Sequence, residues 1–231
     1  MQTEKFGLTV LDKPKSITAE AYRALRTNLG FADLDQDIRS ILISSPSPQD
    51  GKSTVTANLG IVLAQAGYKV IIVDCDLRKP MQHKIFSLDN HRGLTSHLVQ
   101  QMPLENAVCK PPVENLTVLT SGPVPPNPAE LLNSQRVWEF WPVLLEHFDY
   151  VLVDSPPVLA VTDASILAPQ MDGVIIVTQY GVTRKEQVRE TRDQFLKAKA
   201  NIIGVVLNQA KVNAGDQQYY YYYSQDEASS S

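Results

Sequence analysis

The residues best suited to chemistry in this sequence form a polar loop, Ser45 to Thr54, which reads SPSPQDGKST. The loop follows an apolar run and precedes a helix-patterned stretch, which is the context that a phosphate-binding loop requires. Its backbone N–H groups can surround phosphate oxygens at the positive end of the helix. The N–H groups concerned belong to Asp50, Gly51, Lys52, Ser53 and Thr54. Lys52 would reach the outer phosphates of ATP, and the Ser53 hydroxyl would bind Mg²⁺. The loop therefore predicts a nucleotide site.

The loop departs from the common phosphate-loop pattern at its first position. Pro46 stands five residues before Gly51, where a glycine is usual. An ordinary strand-to-helix turn that contains Gly-Lys-Ser-Thr is therefore an alternative interpretation. Acidic residues at the ends of neighbouring strands would favour the nucleotide site.

Three aspartates stand directly after apolar runs that are typical of buried strands. Asp74 and Asp76 follow one run, and Asp154 ends another. Buried carboxylates are costly unless cations balance them. Because the carboxyl ends of parallel strands meet at one edge of a sheet, we expect the aspartates to converge on the phosphate loop. Together they predict a magnesium-nucleotide site, although each aspartate alone could cap a helix or be solvated.

Five consecutive tyrosines stand near the end of a chain that has only nine tyrosines in all. The run consists of Tyr219, Tyr220, Tyr221, Tyr222 and Tyr223. A phenol has a pKa near 10, so a carboxylate that orients it and accepts its proton is a sufficient base for phosphoryl transfer. Asp74 or Asp76 could act in this way while the other binds metal, and the sequence leaves both assignments open. An adhesive low-complexity segment is the alternative interpretation of the run.

The elements that would position these residues alternate between short β-branched runs and longer helix-patterned stretches. This alternation predicts an α/β fold with a mostly parallel sheet and helices on both faces. The predicted strands are residues 40–44, 69–73, 116–119, 150–153, 173–178 and 202–207. The predicted helices are residues 18–29, 52–66, 129–147, 163–168 and 184–198, and Trp138 and Trp141 are assigned to the core.

Length and composition favour one domain. The chain has 231 residues, of which 43% are apolar, so it can bury a substantial core. We assign residues 1–212 to the folded domain and residues 213–231, polar apart from the tyrosines, to a disordered tail.

Several classes of function are disfavoured. The net charge of −4 argues against nucleic acid as a partner, and the two cysteines give neither metal spacing nor a disulfide framework. We expect a cytoplasmic protein, because no signal peptide precedes the domain and no run approaches the roughly 18 apolar residues of a membrane span.

Taken together, the motifs resemble those of the bacterial tyrosine kinases. The matching segments are Ser-x-x-Pro-x-x-Gly-Lys-Ser at 45–53, Asp-x-Asp-x-Arg at 74–78, Asp-Ser-Pro-Pro at 154–157, the proline-rich stretch around Asn127 and the tyrosine cluster. The resemblance covers nearly the whole chain. It implies a fold like that of P-loop NTPases, ATP and Mg²⁺ as cofactors, and autophosphorylation of the tyrosine cluster. It also implies that Ser53 and Asp154 serve the magnesium ion, and that Asn208 contacts adenine, for which a strand-end turn asparagine is the alternative.

The resemblance extends to the first long helix. Glu20, Arg23 and Arg26 match the family's Glu-x-x-Arg-x-x-Arg oligomerisation motif, which implies a homo-oligomeric ring, an octamer. Further implied partners are a separate transmembrane activator that recruits the kinase to the inner face of the plasma membrane, a cognate tyrosine phosphatase and protein tyrosine substrates. The implied role is control of capsule or exopolysaccharide synthesis and export.

The nearest alternative is the group of partition and septum-positioning ATPases, which share the fold. They carry a signature lysine five positions before the Gly-Lys lysine, and Ser47 stands there in this sequence. Arg78 and Lys79, just after Asp74 and Asp76, could hold phosphate or dock the acceptor segment, or form a solvated basic pair.

Overall fold

The computed structural model describes residues 7–33 and 37–211. The elements in chain order are α1 (Thr9–Asp12), α2 (Ile17–Asp33), β1 (Ser40–Ser44), α3 (Lys52–Gln65), β2 (Val70–Asp74), α4 (Gln82–Ile85), α5 (Leu94–Gln100), α6 (Leu104–Ala107), β3 (Leu116–Leu119), α7 (Pro128–Leu132), α8 (Gln135–His147), β4 (Tyr150–Asp154), α9 (Asp163–Leu167), a 3₁₀ turn (Ala168–Gln170), β5 (Gly173–Gln179), α10 (Lys185–Lys197) and β6 (Ile202–Asn208).

The predicted tail, residues 213–231, lies outside the described residues. The same therefore holds for each predicted phosphate acceptor, namely Tyr219, Tyr220, Tyr221, Tyr222 and Tyr223. Their role stays a prediction from the sequence.

The strands form one parallel sheet in the order β3-β2-β4-β1-β5-β6. Strands β1, β2 and β4 are buried along their whole length, as expected where helices cover both faces of a sheet. The predicted α/β fold is confirmed, and the six predicted strands match the observed ones to within one residue at each end. Strand β1 lies beside β4 and β5, so the loop that follows it emerges near the middle of the sheet.

Two hydrophobic cores lie on opposite faces of the sheet, because successive residues of a strand point to opposite sides. On β1, Leu42 belongs to one core, whereas Ile41 and Ile43 belong to the other. Helix α3 packs into the second core and is buried over most of its length. The phosphate-loop helix is therefore fixed to the sheet.

Two predictions were wrong in detail. The helix predicted over 129–147 is two helices, α7 and α8, and Ser134 immediately precedes the second. Trp138 is 48% exposed, whereas Trp141 is 3% exposed, so only Trp141 belongs to the core. The physical reason is helical spacing, since Val137, Phe140, Trp141 and Leu144 form the buried stripe of α8 and Trp138 faces away from it.

The sequence also missed four short helices, α1, α4, α5 and α6. They have four to seven residues each, too few for a helical repeat to emerge from the pattern. Across the described part of the chain, none of the helices has the length and apolar character needed to span a membrane.

Candidate active site

Gly51 sets the shape of the phosphate loop. It immediately precedes α3 and has a φ of 95°, a left-handed conformation that glycine adopts without strain. A Cβ at this position would overlap Nδ2 of Asn208, which donates a 3.0 Å hydrogen bond to the Asp50 carbonyl. The end of β6 therefore closes against the loop, and only glycine leaves room for that contact.

The loop is braced from inside and from the start of α10. The buried Asp50 side chain accepts hydrogen bonds from the Ser47 N–H (2.9 Å) and from the Thr183 hydroxyl (2.8 Å). Gln187 Nε2 donates to Ser47 Oγ at 3.0 Å. The Asp50 carboxylate thus holds the loop in shape, and Ser47 is tied to a glutamine where the partition ATPases carry their lysine. Sequence analysis missed Thr183 and Gln187, because no local pattern links them to the loop.

Lys52 lies in an acidic setting. Its Nζ is 2.9 Å from Asp76 Oδ2 and 3.3 Å from Asp154 Oδ1, and it also contacts Ser53 Oγ at 3.2 Å. Burial alone would lower the pKa of Lys52, but the charges of Asp154 and Asp76 raise it above its ordinary value, so the ammonium stays charged. The lysine of the loop and the aspartates of β2 and β4 therefore meet, as the sequence predicts.

The two aspartates after β2 differ in their contacts. Both oxygens of Asp74 accept backbone hydrogen bonds, one from the Asp76 N–H and the other from the N–H groups of Met81 and Gln82. Burial, then the charge of Asp154, raises the pKa of Asp74 to about 8, while the hydrogen bond from Gln82 acts in the opposite direction. Asp74 thus anchors the start of α4.

Asp76 is turned toward the lysine. One of its oxygens accepts the Lys79 N–H at 3.0 Å, and the other contacts Lys52. Its residue exposure is 4%, whereas that of Asp74 is 0%. Asp76, two residues beyond the end of β2, is thus the carboxylate of this pair that contacts Lys52 of the phosphate loop.

Gln82, which the sequence analysis missed, links the loop to β4. Its Nε2 donates to the Ser53 carbonyl at 3.1 Å and to Asp154 Oδ2 at 2.8 Å. Both partners are acceptors, so the amide can be oriented in only one way. Its Oε1 is buried without a hydrogen-bond partner. The sequence around Gln82 has no local pattern that marks this role.

Arg78 is held by a buried carboxylate from another element. Its Nε and one terminal nitrogen lie 2.9 and 3.0 Å from the two oxygens of Asp163, the first residue of α9. Asp163 is fully buried, whereas the Arg78 side chain is 40% exposed. This bidentate ion pair compensates the charge of Arg78. The sequence had left open whether Arg78 binds phosphate.

The donor set fits a magnesium ion that is bound mostly by phosphates and water. No cluster of three or more metal-binding side chains occurs in the residues that the structure describes. Mg²⁺ usually keeps several waters and takes only one or two carboxylates. Ser53 Oγ and Asp154 Oδ1 both contact Lys52 Nζ, and Oε1 of Gln82, whose amide nitrogen contacts Asp154, is an acceptor suited to a water.

The predicted oligomerisation residues lie on α2. Glu20 and Arg23 form an ion pair on the helix surface, and Arg23 also donates to the Pro14 carbonyl at 2.8 Å. Arg26 donates to the Val62 carbonyl on α3 at 3.2 Å, so it is partly engaged within its own domain. Tyr22 and Leu29, on the same helix, pack into the core.

Comparison with known proteins shows the family of the chain. A family model described as ParA, NUBPL iron-transfer P-loop NTPase, matches residues 38–230. The tyrosine-protein kinase YwqD of Bacillus subtilis is 43% identical over 207 residues, which cover 90% of this chain and 87% of the relative. The chain belongs to the bacterial tyrosine kinases.

Two further comparisons place the chain within this kinase family. The putative tyrosine-protein kinase CapB of Staphylococcus aureus is 39% identical, over 89% of this chain and 90% of the relative. The crystal structure of the chimerical protein CapA2B2 superposes with a TM-score of 0.85 at 40% identity, covering 89% of this chain and 90% of that one. The bacterial tyrosine kinase fold thus accounts for nearly all of the described chain.

Proposed function

We propose that this kinase transfers the outer phosphate of Mg-ATP to tyrosine hydroxyls, including those of its own tyrosine cluster, Tyr219, Tyr220, Tyr221, Tyr222 and Tyr223. The observation that carries the proposal is the position of Lys52. It belongs to the phosphate loop, and its Nζ contacts both Asp76 and Asp154. Phosphoryl transfer needs in-line positioning and neutralisation of charge on the transferred group. Lys52 and the backbone N–H groups of the loop supply both.

Asp76 is the carboxylate that orients the phenol and accepts its proton. Asp76 contacts Lys52, so it lies beside the phosphate to be transferred, whereas both oxygens of Asp74 are taken by backbone N–H groups. Asp74 then supports the site from behind. Ser53 and Asp154 hold the magnesium ion, which would neutralise phosphate charge when bound.

Asn208 has a role in the nucleotide site through the loop. Its amide nitrogen holds the Asp50 carbonyl, and its Oδ1 accepts the Gln209 N–H. We assign it the adenine contact as well, since it ends β6 at the same edge of the sheet as the phosphate loop.

The acceptor tyrosines come from a neighbouring subunit. They follow Asn208 by 11 to 15 residues, a reach of at most about 36–54 Å when extended. Helix α2 presents Glu20 and Arg23 at the surface, where a second subunit can meet them. Contacts that join two different faces of neighbouring subunits can close into a ring. We propose an octamer in which each subunit offers its tyrosines to the next.

The proposed context is a membrane-associated complex in the cytoplasm. A separate transmembrane activator recruits the kinase to the inner face of the plasma membrane, and a cognate phosphatase reverses the modification. Control of capsule or exopolysaccharide synthesis is the pathway that the family implies. This part of the proposal rests on the resemblance of the motifs.

Incubation of the purified protein with Mg-ATP tests the proposal, with and without the cytoplasmic tail of a candidate activator. Mass spectrometry should locate phosphate on residues of the tyrosine cluster, and Lys52→Met should abolish it. ATP hydrolysis without phosphotyrosine would instead indicate a switch ATPase. Nucleotide-dependent assembly with neither activity would indicate a scaffold.

Phosphorylation should also open the ring. Each phosphotyrosine adds about −1.5 to −2 charges, next to Asp226 and Glu227, so heavily modified segments repel one another. Light scattering of dephosphorylated and fully phosphorylated samples tests this, and equal masses would contradict it.

A further inference from the structure

The segment that follows Asp74 and Asp76 is rich in basic residues. Residues 78–92 contain Arg78, Lys79, Lys84 and Arg92 but only one carboxylate, Asp89, in a protein with 21 basic and 25 acidic residues. The segment connects the end of β2 to α5. We refer to Lys79, Lys84 and Arg92 as the basic surface.

The basic surface is only weakly compensated by carboxylates. All three side chains are exposed, and none forms an ion pair with a carboxylate within residues 7–33 and 37–211. Arg78 differs, because Asp163 already holds it. Asp89 lies near Arg92 and pairs loosely with His91, so it offsets the surface only in part.

The basic surface lies at the catalytic edge of the sheet. The Lys79 N–H contacts Asp76, which in turn contacts Lys52. Lys84 is on α4, whose Gln82 contacts Asp154. The Arg92 carbonyl accepts the Thr120 hydroxyl, directly beyond the end of β3. The surface therefore borders the proposed phenol path, beyond the ends of β2 and β3.

The C-terminal segment has the complementary charge. Residues 212–231 contain no lysine or arginine, and their acidic residues flank the tyrosines, with Asp216 before Tyr219 and with Asp226 and Glu227 after Tyr223. This segment belongs to the same chain, so each copy of the protein carries both the basic surface and an acidic acceptor.

We infer that the basic surface selects acidic tyrosine segments, and that it docks residues 212–231 of a second copy for phosphorylation. This inference rests on the proposed function and names its substrate class. Exposed ion pairs each contribute about two- to five-fold in affinity. Several such ion pairs together would discriminate between acceptor segments. Their contribution to affinity would fall as salt screens the charges.

A charge-swap experiment between two full-length chains tests the inference. The enzyme chain has all five residues of the tyrosine cluster replaced by Phe, and the acceptor chain carries Lys52→Met, so phosphate can only pass from one chain to the other. Replacing Lys79 and Lys84 by Gln in the enzyme chain should lower kcat/KM for the acceptor chain about ten-fold at low salt, with the Kd for ATP unchanged. The matched control, Lys69→Gln with Lys110→Gln, removes two exposed lysines that precede β2 and β3 and should have little effect.

The swap itself is decisive. An acceptor with Asp216, Asp226 and Glu227 replaced by Lys should be a poor substrate for the natural surface and a better one for Lys79→Glu with Lys84→Glu. Equal rates in all pairings would overturn the inference while leaving the kinase intact. If the Lys79→Gln with Lys84→Gln variant transferred phosphate at the natural rate but lost binding to anionic vesicles, the basic surface would be assigned to a membrane. That result would overturn the inference too. No phosphotyrosine in any pairing, nor in the natural chain, would overturn the proposed function and this inference together.

Discussion

Lys52 Nζ lies 2.9 Å from Asp76 Oδ2, and this contact joins the phosphate loop after β1 to the strand end of β2. The two strands are not neighbours, because β4 lies between them and contributes Asp154 to the same lysine. One ammonium group therefore balances carboxylates from two strands. An incoming ATP would compete for this lysine, so nucleotide binding and the release of Asp76 toward a phenol are expected to be linked.

Lys52→Met should abolish phosphotransfer and also weaken the fold. The substitution leaves Asp76 and Asp154 without their cation, and breaking a buried pair in this way costs about 3–5 kcal/mol. Urea unfolding should show a lower free energy of unfolding. Lys69→Met, at an exposed lysine, is the control and should stay within about 0.5 kcal/mol of the natural protein. A Lys52→Met protein that still transfers phosphate would contradict the assigned role.

Gly51→Ala should prevent tight ATP binding, because the new Cβ would overlap Asn208 in addition to straining the backbone. Gly67→Ala is a matched control, since Gly67 has a φ of 94° but no atom within 4 Å of a Cβ. The left-handed conformation alone costs about 1–2 kcal/mol. Thermal unfolding of both variants, with fluorescent-nucleotide titrations, separates strain from overlap. If Gly51→Ala lost no more stability than Gly67→Ala and kept the natural affinity for ATP, the predicted overlap would be refuted.

Arg78→Ala should destabilise the protein by about 1–3 kcal/mol, because it leaves the fully buried Asp163 without its partner, although the Arg78 side of the pair is open to solvent. Arg78→Lys should recover only part of this loss, since a lysine cannot contact both carboxylate oxygens in the same fork. Arg192→Ala is the control: Arg192 pairs with Asp193 at a site where both side chains are more than half exposed, so its loss should cost under about 1 kcal/mol. Chemical denaturation measures all three. If Arg78→Ala were as mild as Arg192→Ala, the ion pair would have no structural role.

Gln82→Leu should raise the KM for Mg-ATP and lower kcat, because Asp154 loses the amide that orients it. Gln82→Glu should be worse, since an added carboxylate would face Asp154 and the Ser53 carbonyl. Magnesium titration of ATP binding in each variant provides a second measurement, and weaker Mg²⁺ dependence is expected. Magnesium dependence that matches the natural protein in both variants would rule out this role.

The elements of the sheet were predictable because β-branched runs and helical repeats are local signals. β1, β2 and β4 appear in the sequence as continuous apolar runs, and the parallel arrangement follows from their alternation with helices. The motif at Gly51 to Ser53 and the aspartates after β2 and β4 then predict which edge carries the site. The short helices and the break at Ser134 were not predictable, because a helix of one turn has no repeat and tertiary contacts decide where it ends.

By itself, the sequence determined the fold class, the edge of the sheet where the site lies and the family to which the chain belongs, since these depend on periodicity and on motifs within short stretches. Only the tertiary structure decided which partner each charged group takes. Asp74 and Asp76 are alike in sequence, yet backbone N–H groups occupy one and Lys52 the other. Arg78 and Lys79 are adjacent, yet Asp163 holds only Arg78. The contacts of Asp76 with Lys52 and of Arg78 with Asp163 join residues that are far apart in the chain, so their geometry is fixed by packing.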